Sequence, residues 1–521
     1  MNNNIIYPIQ PADYDFLLNQ FSMGSSIAEN DPLLETAQIK TQEFWDLWYD
    51  RIDLVRGIKG AGKTALFRLF YFIRKMLFEK QKVFIIQGVE PSGDPVFKYY
   101  KNEFEKFDEI EFQNFWRIYF VFLIHDNFLT NPEFEDRLKN HKTLLDDFAE
   151  ECDKVGIPTI QKQKSFKDRV DAVVNFLNSI RSIEPKVSVT TDPTNPQVTY
   201  TSSIKVSIEK KEEEKTPIFV NNIRDILISL LEKLDIKIWI LLDRLDEVFL
   251  RRTQTEINGL KSLLKSAYSF SNSRIRIKVF LREDIIESMI HNKDGFTGLT
   301  HVTDRSSQAI NWQKNQILYL IVKRIFSDNS LAAFFKIDIA KIDNDQSYRE
   351  ESFYKIFPEQ IQKGKNQPKT FEWIYNRCLD GNNNITPRDV IDLLEYVKQK
   401  QLKLFKSNPT PQNIFFSPTS ITQALEELSK KKKETYLQAE FPHFWPDIKL
   451  FEHGKAEHND KSLEKLLGSE WKKKIEDFDN IGFIKYFPSS GSYKIPIIWR
   501  AGLNIKQRKA FSIDSKQKNS Y

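Results

Sequence analysis

Residues 57–64 read GIKGAGKT, the spacing G-x-x-x-x-G-K-[ST], and each residue type in that spacing has a chemical reason to be there. Glycines at 57, 60 and 62 let consecutive backbone N–H groups turn inward around phosphate oxygens with no Cβ in the way. A helix opening near Lys63 adds the positive end of its dipole at the same place. Lys63 can reach β- and γ-phosphates, and the Thr64 hydroxyl is a ligand for Mg²⁺. The loop is therefore expected to cradle ATP through Gly57, Gly60, Ala61, Gly62, Lys63, Thr64 and Ala65. With only 17 glycines in 521 residues, a chance match to this spelling is rare. Further along, IWILLD (238–243) is a near-continuous apolar run closed by an aspartate. A strand that buries itself and offers one carboxylate at its end suits the magnesium shell, so Asp243 joins Thr64 as an expected Mg²⁺ ligand.

The run continues through Arg244 to Asp246 and Glu247. Asp243, Asp246 and Glu247 together resemble the Asp-x-x-Asp-Glu form of the Walker B motif in STAND NTPases and their KAP-like and AAA+ relatives. The resemblance implies that Glu247 or Asp246 orients the attacking water, with capping of the next helix as the competing reading. In plain AAA+ proteins the glutamate directly follows the aspartate, and here that place holds Arg244. A polar or basic residue ending the next strand senses the γ-phosphate in STAND-like proteins. Arg282 occupies that place, unless it pairs with Glu283 or Asp284. TPRDVIDLL (386–394) looks like the lid-helix signature of the same class. Pro387 suits a first helical turn and would aim Arg388 back at the nucleotide, a surface salt bridge being the alternative. Arg305 and Arg324 are further candidates for an arginine finger acting across a subunit boundary. The segment FSMGSSIAENDPLL (21–34) resembles the entry segment of a sparsely characterised bacterial P-loop ATPase family, departing from it at Ser22 and Met23. Members of that family are associated with bacterial anti-phage defence, which the resemblance carries over as an expectation.

Positioning these residues takes an α/β fold: a P-loop NTPase core with a parallel sheet, a large and mainly helical insertion, a helical lid and a C-terminal winged-helix-like domain. Residues 52–56 and 82–87 read as strands flanking a helix over 64–74, and 236–243 and 276–282 as two more buried strands. The boundaries expected are an N-terminal segment over 1–45, a core over 46–93 and 218–326, and an insertion over 94–217. A lid follows over 327–406 and a terminal domain over 410–521. Within the insertion, the Thr/Val/Ser-rich stretch 186–214 suits either a projecting hairpin or a flexible loop. SNPTPQ (407–412) reads as a linker. At the C-terminus a helix over 463–478 leads to strands over 481–486 and 493–500.

Hydrophobic residues make up 40% of the chain, with 41 phenylalanines, enough for several packed cores. No run of eighteen apolar residues marks a membrane span, and MNNNIIYPIQ lacks the features of a secretory signal. The two cysteines, Cys152 and Cys378, lack zinc or disulfide spacing, so a cytoplasmic protein is expected. The 77 basic and 72 acidic residues nearly cancel, so any nucleic-acid contact must be local. The C-terminal end is locally basic at 431–433, 472–474, Arg500, Lys506, Arg508 and Lys509, and DNA contact there competes with a packing role. No protease, nuclease or nucleophile-elbow pattern is found. An ATP-hydrolysing switch, with a protein partner or a homo-oligomer, is the expected function. A DNA-associated motor or loader is the alternative, and a scaffold that binds ATP without hydrolysis a third reading.

Overall fold

The structure, a computed structural model, describes residues 8–89, 100–154, 166–181, 212–245, 253–290, 296 and 299–505. The chain forms two compact units. One comprises Gln42–Ile58 and Leu66–Ala309; the other comprises the chain up to Thr41, the segment Lys59–Ala65 and the chain from Ile310. Most of the stretch 186–214 lies outside the described residues, as do Lys506, Arg508 and Lys509.

The first unit holds five strands: β1 (Leu54–Gly57), β2 (Val83–Val89), β3 (Lys237–Leu242), β4 (Ile275–Arg282) and β5 (Ser306–Ala309). All neighbours pair in parallel, in the order β2-β3-β4-β1-β5. This is the α/β fold of a P-loop NTPase, with helical insertions. β3 is buried from Ile238 to Leu242, as its unbroken apolar run requires of a strand covered on both faces. β5 escapes sequence reading because its four residues, SSQA, are a short polar edge strand with no apolar run.

The described helices between 100 and 234 share this core. The helix Glu109–Ile124 opens on a capping box between Asp108 and Glu111 and is apolar almost all round after its first turn. Such a helix must be covered on every side. It packs in one cluster with β3, β4 and the helix Gln254–Phe270, and Trp116 donates its indole N–H to the Gly259 carbonyl at 2.9 Å. The helix Glu212–Leu234 joins the same cluster.

Near the amino ends of the strands lies an ion network. Lys278, 0% exposed, donates to Asp50 (2.5 Å), Asp53 (2.7 Å) and the Ile52 carbonyl (2.7 Å), beneath the Trp239 ring. Arg305 bonds Asp53 at 2.6 Å and Asp50 at 2.9 Å, and Arg276 bonds Asp50 at 3.2 Å. Burial pushes the Asp53 carboxyl up, but Lys278 and Arg305 outweigh it and hold the group below the usual range. Burial likewise lowers Lys278, against the opposing pull of Asp53 and Asp50. Arg305 is thus an internal strut of the sheet rather than a finger reaching outward.

The second unit is mainly helical. The helix Pro387–Ser407 packs against Pro418–Lys432, and Tyr14, Phe21, Phe405, Phe415 and Phe416 form an aromatic cluster. The expected linker is tied in: the helix runs to Ser407, and Gln412 exchanges backbone hydrogen bonds with Ile9 at 3.0 and 2.8 Å. Arg324, on the helix Lys314–Ile325, is buried and straps the entry segment. It donates to the Met23 carbonyl and to Asp31, each at 2.6 Å. An arginine held so is also an internal strut.

At the C-terminus, β6 (Glu457–His458), β7 (Lys485–Phe487) and β8 (Ser492–Lys494) form an antiparallel sheet in the order β6-β8-β7. The single helix expected over 463–478 is two helices, Asp460–Leu467 and Trp471–Asn480. Gly468, at φ +83°, takes a backbone that side chains other than glycine's resist and ends the first. The strand expected over 493–500 stops at Lys494. Pro496 has no ladder N–H to give and begins the turn Ile497–Arg500, whose Trp499 donates to the Gly482 carbonyl at 2.9 Å. Among the described residues no helix is long and apolar enough to cross a membrane.

Candidate phosphate-binding site

In the sheet unit, three expected residues share the carboxyl ends of parallel strands, where α/β folds bind ligands. Gly57 ends β1 and lies in register with Arg282 at the end of β4. Asp243 follows β3 directly and is 3% exposed. The next residue, Arg244, adopts φ +57°, a left-handed backbone that non-glycine residues rarely take. The chain therefore turns sharply just after the carboxylate. Asp246 and Glu247 lie outside the described residues.

The arginine at the end of β4 meets a carboxylate. Arg282 donates Nε and Nη2 to Asp284 at 3.0 and 2.9 Å, the pairing that competes with γ-phosphate sensing. Arg56 on β1 makes a two-pronged ion pair with Glu283, Nε to Oε2 at 3.0 Å. Both acids open the helix Glu283–Ile290, where negative charge suits the helix dipole.

In the helical unit, the segment Lys59–Ala65 carries the rest of the loop. Gly60 and Gly62 take φ +85° and +103°, values that side chains other than glycine's strongly resist. A Cβ at Gly60 would lie 3.2 Å from both the Arg388 Cβ and the Thr386 Oγ1, so the loop backbone runs close against the start of the helix Pro387–Ser407. A Cβ at Gly62 would meet nothing within 4 Å among the described residues. The helix Lys63–Phe72 starts directly after, with Lys63 nearly buried.

Three contacts fix this arrangement. Thr386 caps the helix Pro387–Ser407, with Pro387 in its first turn as expected. The Thr386 hydroxyl accepts from the Asp389 N–H (3.2 Å) and donates to the Asp389 carboxylate (2.8 Å), which also binds Lys432 at 2.6 Å. Lys59 makes an ion pair with Glu440. Trp312 donates its indole N–H to the Ala61 carbonyl at 2.8 Å. Arg388 lies against Gly60 as described, and its buried Nε has no hydrogen-bond partner among the described residues. Trp312 and Glu440 carry no motif and stand far from the loop in sequence; only the fold reveals them.

Two left-handed glycines before a helix, and a buried guanidinium nitrogen lacking an acceptor beside one of them, fit a polyphosphate anion. Among the described residues no group of three or more His, Cys, Asp or Glu could hold a metal by itself. Mg²⁺ needs none here, since it takes one or two protein ligands plus phosphate oxygens.

No protein-family model matches the sequence, and no curated protein matches it. Among solved structures the chain is similar to the Walker-type ATPase of Pyrococcus abyssi, at 11% identity and a TM-score of 0.37, over 90% of this chain and 96% of that one. It is also similar to the Aeropyrum pernix ORC1 protein in complex with DNA, at 10% identity and 0.32, covering 92% and 95%. A third is the Aeropyrum pernix ORC2 protein in its ADPNP–ADP complexes, at 10% identity and 0.28, covering 90% and 95%. Likenesses this distant lend no residue role, ligand or partner to this chain.

Proposed function

We propose that the chain binds Mg-ATP through its glycine loop and hydrolyses it as a nucleotide-operated switch. The observation that carries this reading is the loop itself: Gly60 and Gly62 in left-handed conformations, a helix starting at Lys63, and Arg388 with an unpartnered buried Nε beside Gly60. Backbone N–H groups of residues 60–65 hold the phosphates, Lys63 reaches between the β- and γ-groups, and Arg388 faces the developing charge. By their motifs, Thr64 and Asp243 would offer a hydroxyl and a carboxylate to Mg²⁺, which would supply positive charge to the phosphates. Asp246 or Glu247 orients water, and Arg282 can trade Asp284 for the γ-phosphate. Phosphate release from purified protein with Mg-ATP, beside Lys63→Ala and Glu247→Gln, tests the assignment. Turnover that survives Lys63→Ala would sink it.

The resemblance of the entry segment over 21–34 and of the STAND-like, KAP-like and AAA+-like motifs supports a further reading, that this switch acts in bacterial anti-phage defence. Plaque counts on cells carrying the intact locus or a Lys63→Ala locus test that role, and equal counts for several phages would reject it. A second reading, a DNA-associated ATPase, is supported by the C-terminal order of two short helices and a hairpin, which is winged-helix-like. The helix Trp471–Asn480 exposes Lys472 and Lys473, and the hairpin exposes Tyr486 and Phe487. DNA binding that weakens steeply with salt and fails in a Lys472→Glu, Lys473→Glu double variant would favour it.

A further inference from the structure

Trp312 is buried, 8% exposed, and donates its indole N–H to the carbonyl of Ala61 at 2.8 Å. Ala61 sits inside the glycine loop, between the two left-handed glycines. In a trans peptide the C=O and the following N–H point in opposite directions. Capturing the Ala61 carbonyl on one side therefore directs the Gly62 N–H to the other. Gly62 has open space on its Cα face among the described residues.

The identity of the anchor matters. Indole nitrogen donates and cannot accept, so it selects one of the two orientations of the Ala61–Gly62 peptide. Flipping that peptide would present an N–H to an N–H and leave a buried donor unpaired. A serine or glutamine at 312 could satisfy either orientation; a tryptophan cannot. The anchor is itself held firmly. Trp312 directly precedes the start of the helix Lys314–Ile325, where the Gln313 N–H bonds Gln316 at 2.8 Å. The far end of that helix is strapped by Arg324 to Asp31 and the Met23 carbonyl.

We infer that Trp312 is a positioning residue for phosphate binding: it locks the Ala61–Gly62 peptide with the Gly62 N–H aimed into the cradle before nucleotide arrives. The inference rests on the nucleotide-binding reading above and deepens it. Trp312 touches no phosphate; it acts through the peptide it orients.

The test compares Mg-ATP, Mg-ADP and AMP binding by titration calorimetry for wild type, Lys63→Ala and Trp312→Phe. Phenylalanine keeps an aromatic ring and removes only the donor. Loss of one oriented N–H to a β-phosphate should weaken Mg-ADP by about tenfold while leaving AMP unchanged, so the ADP-to-AMP preference narrows. A general loosening of the fold would weaken both alike. Wild type that binds Mg-ATP, beside a Trp312→Phe variant with an unchanged ADP-to-AMP preference, overturns the inference and leaves the nucleotide reading standing. Wild type that binds no nucleotide overturns both. Should the variant misfold, ¹⁵N-indole spectra of the wild-type chain give the answer, since it has nine tryptophans. An exchange-protected indole N–H that shifts with Mg-ADP but not with AMP supports the role, and nine signals indifferent to Mg-ADP reject it.

Discussion

The strands of the sheet and the start of the helix Pro387–Ser407 treat positive charge differently. On the strands of the sheet unit or directly before one, Arg56, Arg276, Lys278, Arg282 and Arg305 each meet a carboxylate, and Lys278 meets two while fully buried. In the helical unit, Arg388 is packed against Gly60 with an Nε that bonds nothing among the described residues. A buried guanidinium nitrogen without an acceptor lowers stability. Arg68 and Arg324 each leave such an Nε as well, and what sets Arg388 apart is that it lies against the glycine loop. The contrast separates charge that holds a fold from charge kept for a ligand.

The most damaging way to probe the first kind is Lys278→Met. It leaves Asp50 and Asp53 with Arg305 and Arg276 alone, and removing one partner of a buried ion pair costs about 3–5 kcal/mol. Chemical denaturation should show that loss while Mg-ATP affinity, measured under folding conditions, stays near wild type. A variant as stable as wild type would mean the network is neutral to stability. Arg388→Ala should do the reverse. Turnover should fall about a hundredfold, as for loss of one preorganised donor to developing charge, and the melting temperature should hold or rise because an unpartnered group has gone. Normal turnover in that variant would place Arg388 with the structural charges and dissolve the comparison.

How far this was legible in the sequence follows from where the information is local. GIKGAGKT declares its glycines, helix start and lysine within eight residues, and Thr386 and Pro387 declare a cap. β1 to β4 announce themselves as apolar runs, whereas β5, four residues of which three are polar, lies at a sheet edge and has no such signal. The internal pairing of Arg305 and Arg324 could not be read from the sequence, because their partners Asp53 and Asp31 are hundreds of residues away and only folding brings them close. Trp312 and Glu440 were invisible for the same reason. The expected helix over 463–478 failed on Gly468, a positive-φ glycine within an otherwise helical pattern.

A smaller effect comes from pH. Asp53 is held below the ordinary carboxylate range by Lys278 and Arg305, against the upward push of its burial. A group depressed in the folded state binds fewer protons there than when unfolded. Its contribution is therefore complete above the unfolded value near ~3.9 and fades as pH falls through the folded one. Melting temperatures from pH 7 down to pH 3 should decline in wild type, and the Asp53→Asn variant should start lower and decline less. Parallel curves would mean that other carboxylates carry the acid sensitivity.

The smallest effect concerns Lys59, inside the glycine loop yet paired with Glu440. Its side chain is 28% exposed and that of Glu440 20%, so water screens the pair and the net contribution should stay below about 1 kcal/mol. By position Lys59 could belong to the charge kept for phosphate; by its pairing it belongs with the structural charge. Lys59→Ala decides between them when Mg-ATP affinity is measured at low and high salt. If Lys59 is structural, affinity should change less than about threefold, within what a screened surface pair contributes. A loss above about tenfold at low salt, shrinking at high salt, would show that Lys59 leaves Glu440 when nucleotide binds. Charge that holds the fold and charge that awaits a ligand would then be one side chain in two states.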